Sequence, residues 1–340
     1  MIARTLPRDD YAGGVSGQVH ALAVALTRRG HDVTVYALTP PPAAAPYQWH
    51  RVRSDGMTGG RLGVLYLFPL WVARHGFDGY DLVHAHGDDH FLRTRRPVIR
   101  TFYGSSRAEA RHSTRLRHRL YHLSMSIVER VSERRATEVV VISAATGRYL
   151  SRASTHIPCG YDPATFSPGR KSGPPSILFV GDLGTRKRAE LLLDVFARVV
   201  KPAVPDAELW MVTSERLEAP GVRWLGRLST ADLVDRYRRA SVFCLPSRYE
   251  GFGVPYVEAM ACGTPVVATP NGGAEEILEG GHHGRLVDPG ALGEALVELL
   301  SSDERRQQFA ERGLLRAKDY DIGLIAQRYE RIYRDALTAR

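Results

Sequence analysis

Glu250-Gly-Phe-Gly-Val-Pro-Tyr-Val-Glu258 runs directly into Ala259-Met-Ala-Cys-Gly-Thr-Pro-Val-Val-Ala268. Gly251 and Gly253 free the backbone, Pro255 suits the first turn of a helix, and Glu258 follows one turn further on. This geometry directs backbone N–H groups and two carboxylates into one pocket. Carboxylates accept hydrogen bonds well from the vicinal hydroxyls of a ribose or hexose, each charge-assisted bond being worth ~1.5–3 kcal/mol. A coincidental pair of surface acids is the alternative, and the Gly-Phe-Gly-Val-Pro setting argues against it. The helix opened by Pro255 lies between two buried strands, Val242 to Leu245 and Val266 to Thr269.

Outward from there, short β-branched runs alternate with amphipathic stretches, the pattern of parallel α/β folds. In the second half, strands are predicted at Ile177 to Val180, Leu209 to Val212 and Val222 to Leu225, with Leu286 and Val287 near an edge. Glu190 to Val200 forms a helix with Leu192, Val195, Phe196 and Val199 inward. Ser229 with Asp232 resembles a capping box opening a helix to Ala240. Pro289 opens the tail helices, the last running from Ile322 to about Leu337.

In the first half, Gln18 to Arg29 places Val19, Leu22, Ala23 and Leu26 on one helical face, and Gly30 stops the helix. Strands follow at Val33 to Tyr36, Asp81 to Ala85, Val98 to Phe102 and Glu138 to Ile142. A Pro- and Gly-rich stretch, Pro158 to Pro175, reads as a linker. The expected architecture is two Rossmann-like, doubly wound domains facing a central cleft. They span 1–168 and 169–318, and a C-terminal helix at 319–340 returns toward the first domain. One irregularity stands out: only Met1 to Arg4 precede the first loop, so the opening strand is short or badly formed.

A chain of 340 residues suits two domains of about 150 residues each. With 44% hydrophobic and 24% charged residues it is neither disordered, nor collagen-like, nor a small disulfide-stapled scaffold. The longest apolar candidate, Leu62 to Ala73, falls short of the ~18 residues of a membrane span and contains Pro69. Met1 to Asp10 has charges and no apolar core, unlike a secretory signal. Cys159, Cys244 and Cys262 are too few and too scattered for a disulfide framework or a zinc site, and a reducing cytosol is the simplest compartment, with the inner membrane face as a peripheral station.

Lys and Arg outnumber Asp and Glu by 46 to 37, which favours anionic partners such as nucleotides, nucleic acid or an acidic membrane surface. The excess sits mostly before residue 160. Much of it lies in Arg107 to Arg135, where Arg107, Arg111, Arg115, Arg117, Arg119, Arg130, Arg134 and Arg135 alternate with Leu116, Leu120, Leu123, Ile127 and Val131. The favoured reading is one or two helices with a solvated basic face, packed on the first domain. Contact with an anionic membrane or an acidic acceptor is the other. No nucleic-acid module or interleaved aromatic pattern accompanies the charge.

Two loops suit phosphate. Gly13-Gly14-Val15-Ser16-Gly17 stands between the first strand and first helix, where backbone N–H groups can approach a phosphate or sugar. It is neither a G-x-G-x-x-G fingerprint nor a P-loop, and a simple turn is an equal reading. Arg186-Lys187-Arg188 follows the strand Ile177 to Val180, at the sheet edge where doubly wound folds bind ligands. Taken alone, these cations read as ordinary surface charge.

Together these segments resemble the GT-B-fold retaining glycosyltransferases of family 4, the glycosyl transferases group 1. Their Glu-x7-Glu hallmark matches Glu250 to Glu258 with its flanks. The likeness extends through Gly13-Gly14-Val15, Gly30-His31-Asp32-Val33, Asp81-Leu-Val-His-Ala-His86-Gly87, Ile157-Pro-Cys-Gly-Tyr-Asp162 and Gly263-Thr-Pro-Val-Val, nearly the whole chain.

The resemblance implies transfer of a sugar from a nucleotide-diphosphate donor to a hydroxyl acceptor (a glycan, lipid or natural product) with retention of anomeric configuration. By the same resemblance Glu258 binds the nucleotide ribose and Glu250 the donor sugar. The N–H groups of Phe252, Gly253 and Val254 hold sugar and phosphate, and Lys187 neutralises the diphosphate. Gly13 and Gly14 let the first domain close over it. No metal or other cofactor is expected: Lys187, Arg186, Arg188 and helix N-termini stand in for Mg²⁺.

Two departures qualify this. The family's Gly-Arg-Leu is Gly181-Asp182-Leu183 here, which removes a cation that Arg186 or Arg188 must replace. A carboxylate facing the diphosphate would repel it, so Asp182 is expected to turn away while Lys187 points inward. The family's Thr-Phe-His-Gly is Thr101-Phe102-Tyr103-Gly104, which leaves Tyr103 and the nearby His86 beside Glu250 and Lys187 as catalytic candidates; for His86 a structural role at the strand end weighs at least as much. A catalytically silent nucleotide-sugar-binding subunit is the rival reading, and a nucleotide-sugar epimerase a weaker third.

Overall fold

The computed structural model describes residues 1–7, 14–52, 60–112 and 116–338. It divides into two compact units, residues 161–321 and residues 1–160 joined by 322–340.

The 161–321 unit is built on six parallel strands: β7 (Ser176–Val180), β8 (Glu208–Val212), β9 (Val222–Trp224), β10 (Val242–Leu245), β11 (Val266–Ala268) and β12 (Arg285–Leu286). For these, β1 to β6 belong to the other unit. Their spatial order is β12-β11-β10-β7-β8-β9, which in chain order is the 3-2-1-4-5-6 arrangement of dinucleotide-binding folds. β7, β10 and β11 are apolar runs because helices cover both faces of the sheet. Val242 pairs with Ile177 and Phe243 with Val266. The order reverses between β7 and β10, so the crevice beyond their carboxyl ends is where such a sheet receives a ligand.

The other unit has the same order. β1 (Thr34–Ala37) pairs with β2 (Gln48–Arg51), and β3 (Val83–Ala85), β4 (Val98–Phe102), β5 (Glu138–Val141) and β6 (Thr155–His156) form a parallel row. Met1 to Arg4 runs between β1 and β3. The Ile2 N–H donates to His84 O at 2.9 Å and the Tyr36 N–H to Met1 O at 2.9 Å. The opening segment is short but paired on both sides. The Met1 ammonium donates to Thr34 O at 2.6 Å, and burial pulls its pKa down to about 5.

Three features escape the sequence pattern. β2 is largely exposed and shows no alternation. The helix Gly60–Arg74 runs through Pro69, and its even apolarity hides the helical period. In the helix Leu116–Arg135 the apolar residues do not face inward. Leu116, Leu120, Leu123 and Ile127 are exposed, while Ser132 and Glu133 are buried, which corrects the expectation that this apolar face packs on its domain.

Residues 161–168, assigned from the sequence to the first domain, sit in the second unit. There Arg238 donates to Ser167 O at 2.8 Å and to Ser167 Oγ at 2.7 Å. The helix Ile322–Thr338 belongs to the first unit. Its face of Ile322, Ile325, Ala326, Tyr329, Ile332, Tyr333 and Ala336 shares a core with Val19, Leu22 and Leu26 of the helix Gly14–Arg28. Arg29 clamps Glu330 across the same pair at 2.6 Å. Among the described residues no helix is long and apolar enough to cross a membrane.

Candidate active site

The carboxyl ends of β7 and β10 bring the charged candidates together. Lys187, on the loop after β7, lays its stem across Gly181, where any side chain would collide with it. Its Nζ donates to Val180 O at 3.0 Å. Burial lowers its pKa, and Glu250 and Glu258 pull it back up. The Arg248 N–H donates to Arg186 O at 2.8 Å, stitching the loop after β7 to the loop after β10.

Glu250 is only 5% exposed. It accepts from Ser247 Oγ at 2.8 Å, and Arg186 pairs with its other oxygen at 3.3 Å. Glu258 lies in the helix Val254–Ala261, which Pro255 opens. Tyr237 donates its hydroxyl to Glu258 at 3.0 Å. Burial nevertheless pushes the Glu258 carboxyl up to about 7, against the opposing effects of Tyr237 and Lys187.

Backbone shape comes from glycine. Gly253 precedes the helix at φ 103°, and a Cβ there would run into the Tyr256 ring. Gly273 lies against the Phe252 carbonyl so closely that a Cβ has no room. Asn271 caps the helix Gly272–Leu278 by accepting from the Ala274 N–H at 3.0 Å, and its amide donates to Thr269 O at 2.9 Å. Phe252 is buried edge-on against Tyr320.

Two residues singled out in the sequence are held by neighbouring elements. Arg188 was grouped with the phosphate-binding cations, but its guanidinium donates to Pro246 O at 2.5 Å and to Thr269 Oγ1 at 2.7 Å. It ties down the ends of β10 and β11, because carbonyls and hydroxyls at a sheet edge need donors. Asp182 receives the Ser214 N–H at 3.0 Å and the Ser214 hydroxyl at 2.6 Å, which hold its carboxyl below the ordinary range. Ser214 is therefore its hydrogen-bond partner.

In the first unit, His86 and Tyr103 meet at the ends of β3 and β4. His86 Nδ1 and Tyr103 Oη are 2.9 Å apart. The His86 ring lies 3.9 Å from that of His84, centroid to centroid. His84 is fixed by Tyr333 Oη at 2.6 Å and Thr101 Oγ1 at 2.8 Å. Burial holds both imidazoles well below their usual pKa, so both are neutral near pH 7. Gly14 opens the helix Gly14–Arg28 at φ 64° with open space around it, and Gly13 lies outside the described residues.

Sequence reasoning missed Ser247, Tyr237 and Asn271. Asn271 before Gly272-Gly273 carries an N-cap signal, and Ser247 stands three residues before Glu250. Tyr237 reaches Glu258 only through tertiary packing.

Paired carboxylates and a half-buried lysine stand together at the switch point of a Rossmann-order sheet. Residues 12–165 match the family described as Glycosyltransferase Family 4, and residues 162–316 match Glycosyl transferases group 1. The chain belongs to this family of GT-B-fold retaining glycosyltransferases, which transfer a sugar from a nucleotide-sugar donor to an acceptor.

Among curated relatives it is 29% identical to phosphatidyl-myo-inositol mannosyltransferase of Mycobacterium tuberculosis, over 95% of this chain and 93% of that protein. It is 27% identical to D-inositol 3-phosphate glycosyltransferase of Thermobifida fusca, over 96% of this chain and 89% of that protein. Among solved structures it resembles sucrose-phosphate synthase of Thermosynechococcus elongatus, with a TM-score of 0.78 at 22% identity, covering 100% of this chain and 98% of that one.

Proposed function

We propose that the donor is a nucleoside-diphosphate hexose held at the β7/β10 switch point. Lys187 and Arg186 neutralise the diphosphate, Glu258 receives the ribose hydroxyls and Glu250 the sugar hydroxyls. The gathering of Glu250, Glu258 and Lys187 at that one sheet edge carries the reading. As the glycosidic bond breaks, positive charge grows on the sugar and negative charge on the departing diphosphate. Fixed cations that need no rearrangement stabilise the latter.

His86 and Tyr103 supply a neutral hydrogen-bonding pair on the first unit in place of the family's single histidine. Hydrolysis of a panel of nucleotide sugars by the purified protein tests the assignment. Glu258→Ala is expected to weaken binding of the bare nucleoside diphosphate at least tenfold. Glu250→Ala is expected to spare that binding and lower turnover. Equal losses for both variants would show that the roles are divided wrongly, and a protein that binds donors but never turns them over would favour the silent subunit.

The acceptor is a hydroxyl compound, and inositol-bearing acceptors are the first to try because both curated relatives carry inositol in their names. The exposed stripe Leu116, Leu120, Leu123 and Ile127, flanked by Arg117, Arg119, Arg130 and Arg134, suits an anionic membrane surface. Co-sedimentation with phosphatidylglycerol vesicles but not phosphatidylcholine vesicles is the expected result. Leu120→Asp with Ile127→Asp should abolish it.

A further inference from the structure

Lys187 and Arg188 are neighbours in the chain but leave it for different strands. The Lys187 amine turns back to Val180 O at the end of β7, its stem lying across Gly181. The Arg188 guanidinium instead reaches Pro246 O, just past β10, and Thr269 Oγ1, just past β11.

Arg188 also holds a backbone conformation that a side chain resists. Its φ of 56° and ψ of 48° are left-handed, at the residue from which the helix Ala189–Val195 starts. A Cβ is crowded there by the adjoining carbonyl, so glycine ordinarily takes such positions. A larger residue stays only where its surroundings fix it from several sides. At Arg188 these are the two bonds of the guanidinium, a backbone N–H donating to Thr185 O at 3.2 Å and a carbonyl accepting from the Leu192 N–H at 3.3 Å.

The same guanidinium governs the loop that carries Glu250. Thr269 Oγ1, which it grips, donates to Ser247 O at 3.0 Å, and the Asn271 amide donates to that carbonyl at 3.3 Å. Two consecutive carbonyls, Pro246 O and Ser247 O, are thus held from outside the loop. With its backbone fixed, Ser247 aims its hydroxyl at Glu250, 2.8 Å away. Ser247, Thr269 and Asn271 are all buried, so water does not freely replace a bond lost among them.

We infer that Arg188 is a positioning residue of the donor site. It binds no part of the donor; by tying the loop after β7 to the ends of β10 and β11 it sets the direction of the Lys187 amine and the seat of Glu250. The inference rests on the donor roles proposed for those two residues.

Calorimetry with UDP, GDP and ADP on the full chain tests it. Arg188→Gly removes the guanidinium and leaves a residue at ease in the left-handed region, and it should weaken the tightest of the three at least tenfold. In a Lys187→Ala background the same change should cost less than twofold, because residues acting as one unit give non-additive losses. Thr269→Val removes the hydroxyl that links the guanidinium to Ser247 without altering charge. It should weaken binding at least threefold and lower kcat for donor hydrolysis at least fivefold, and Thr269→Ser should restore both to within twofold. Acetic anhydride labelling read by mass spectrometry follows Lys187 without any ligand. Relative to the exposed Lys318, its rate should rise at least threefold in Arg188→Gly.

Losses that add to those of Lys187→Ala would put Arg188 on the diphosphate itself and overturn the inference. So would an unchanged Kd with a lowered urea midpoint, the mark of a brace for stability alone, or a Thr269→Val loss that serine does not rescue. If Arg188→Gly does not fold, the Thr269 pair decides. A parent protein that binds none of the three diphosphates would sink the donor reading instead, and the labelling rate would still decide whether Arg188 sets the Lys187 amine.

Discussion

The ribose-binding role proposed for Glu258 conflicts with its surroundings. Receiving ribose hydroxyls needs the carboxylate, yet burial raises its pKa to about 7. The folded state therefore binds this proton more tightly than the unfolded chain does. The stabilisation is complete below the unfolded pKa of about 4.5 and is lost as pH rises through about 7. Glu258→Gln should remove that decline and raise the melting temperature at pH 8 by several degrees, a gain on the order of 2 kcal/mol. The same variant should weaken nucleoside diphosphate binding, and parent binding should itself weaken as pH falls from 8 to 6. Thermal melts and calorimetry at the two pH values check both. The Glu250–Glu258 spacing was legible in the sequence because a loop and one helical turn are local. The raised pKa of Glu258 was not, because Tyr237 and the surrounding burial arrive from other elements.

At the level of elements, the strands nearest the sheet centres were legible because burial on both faces makes them continuous apolar runs. β2 was not, since an exposed edge strand has no pattern to show. The Gly272–Leu278 helix teaches the same lesson in its packing. Asn271-Gly-Gly announces a helix start, but only the tertiary contact shows why Gly273 tolerates nothing larger. Its missing Cβ lets the helix close on the Phe252 carbonyl, which fixes the loop carrying Glu250 and Gly253. Gly273→Ala should destabilise the protein by about 2–4 kcal/mol, because the obstruction is backbone and cannot rotate away. Gly272→Ala, one residue earlier, is the comparison that urea melts should show to be milder. Equal effects would mean that the cost lies in helix propensity and not in the contact.

The whole molecule is two units, each with its own sheet and core. Residues 161–321 should fold alone and bind a nucleoside diphosphate, because Lys187, Arg186, Glu250, Glu258 and Tyr237 all lie within them. Such a fragment should transfer no sugar, since His86 and Tyr103 are absent. A cooperative melt and a calorimetric Kd within about tenfold of the parent's are the expected observations; an unfolded fragment would show that the second core depends on the first. Two parallel α/β domains, the carboxylate pair and the family itself were determined by the sequence, because periodicity and short motifs are local properties of a chain. Tertiary structure alone decided that Arg188 braces strand ends, that Ser214 holds Asp182, and that Tyr333 of the last helix fixes His84 beneath His86. Those outcomes depend on which donors and acceptors meet after the chain has folded back on itself, and no spacing along the chain encodes such a meeting.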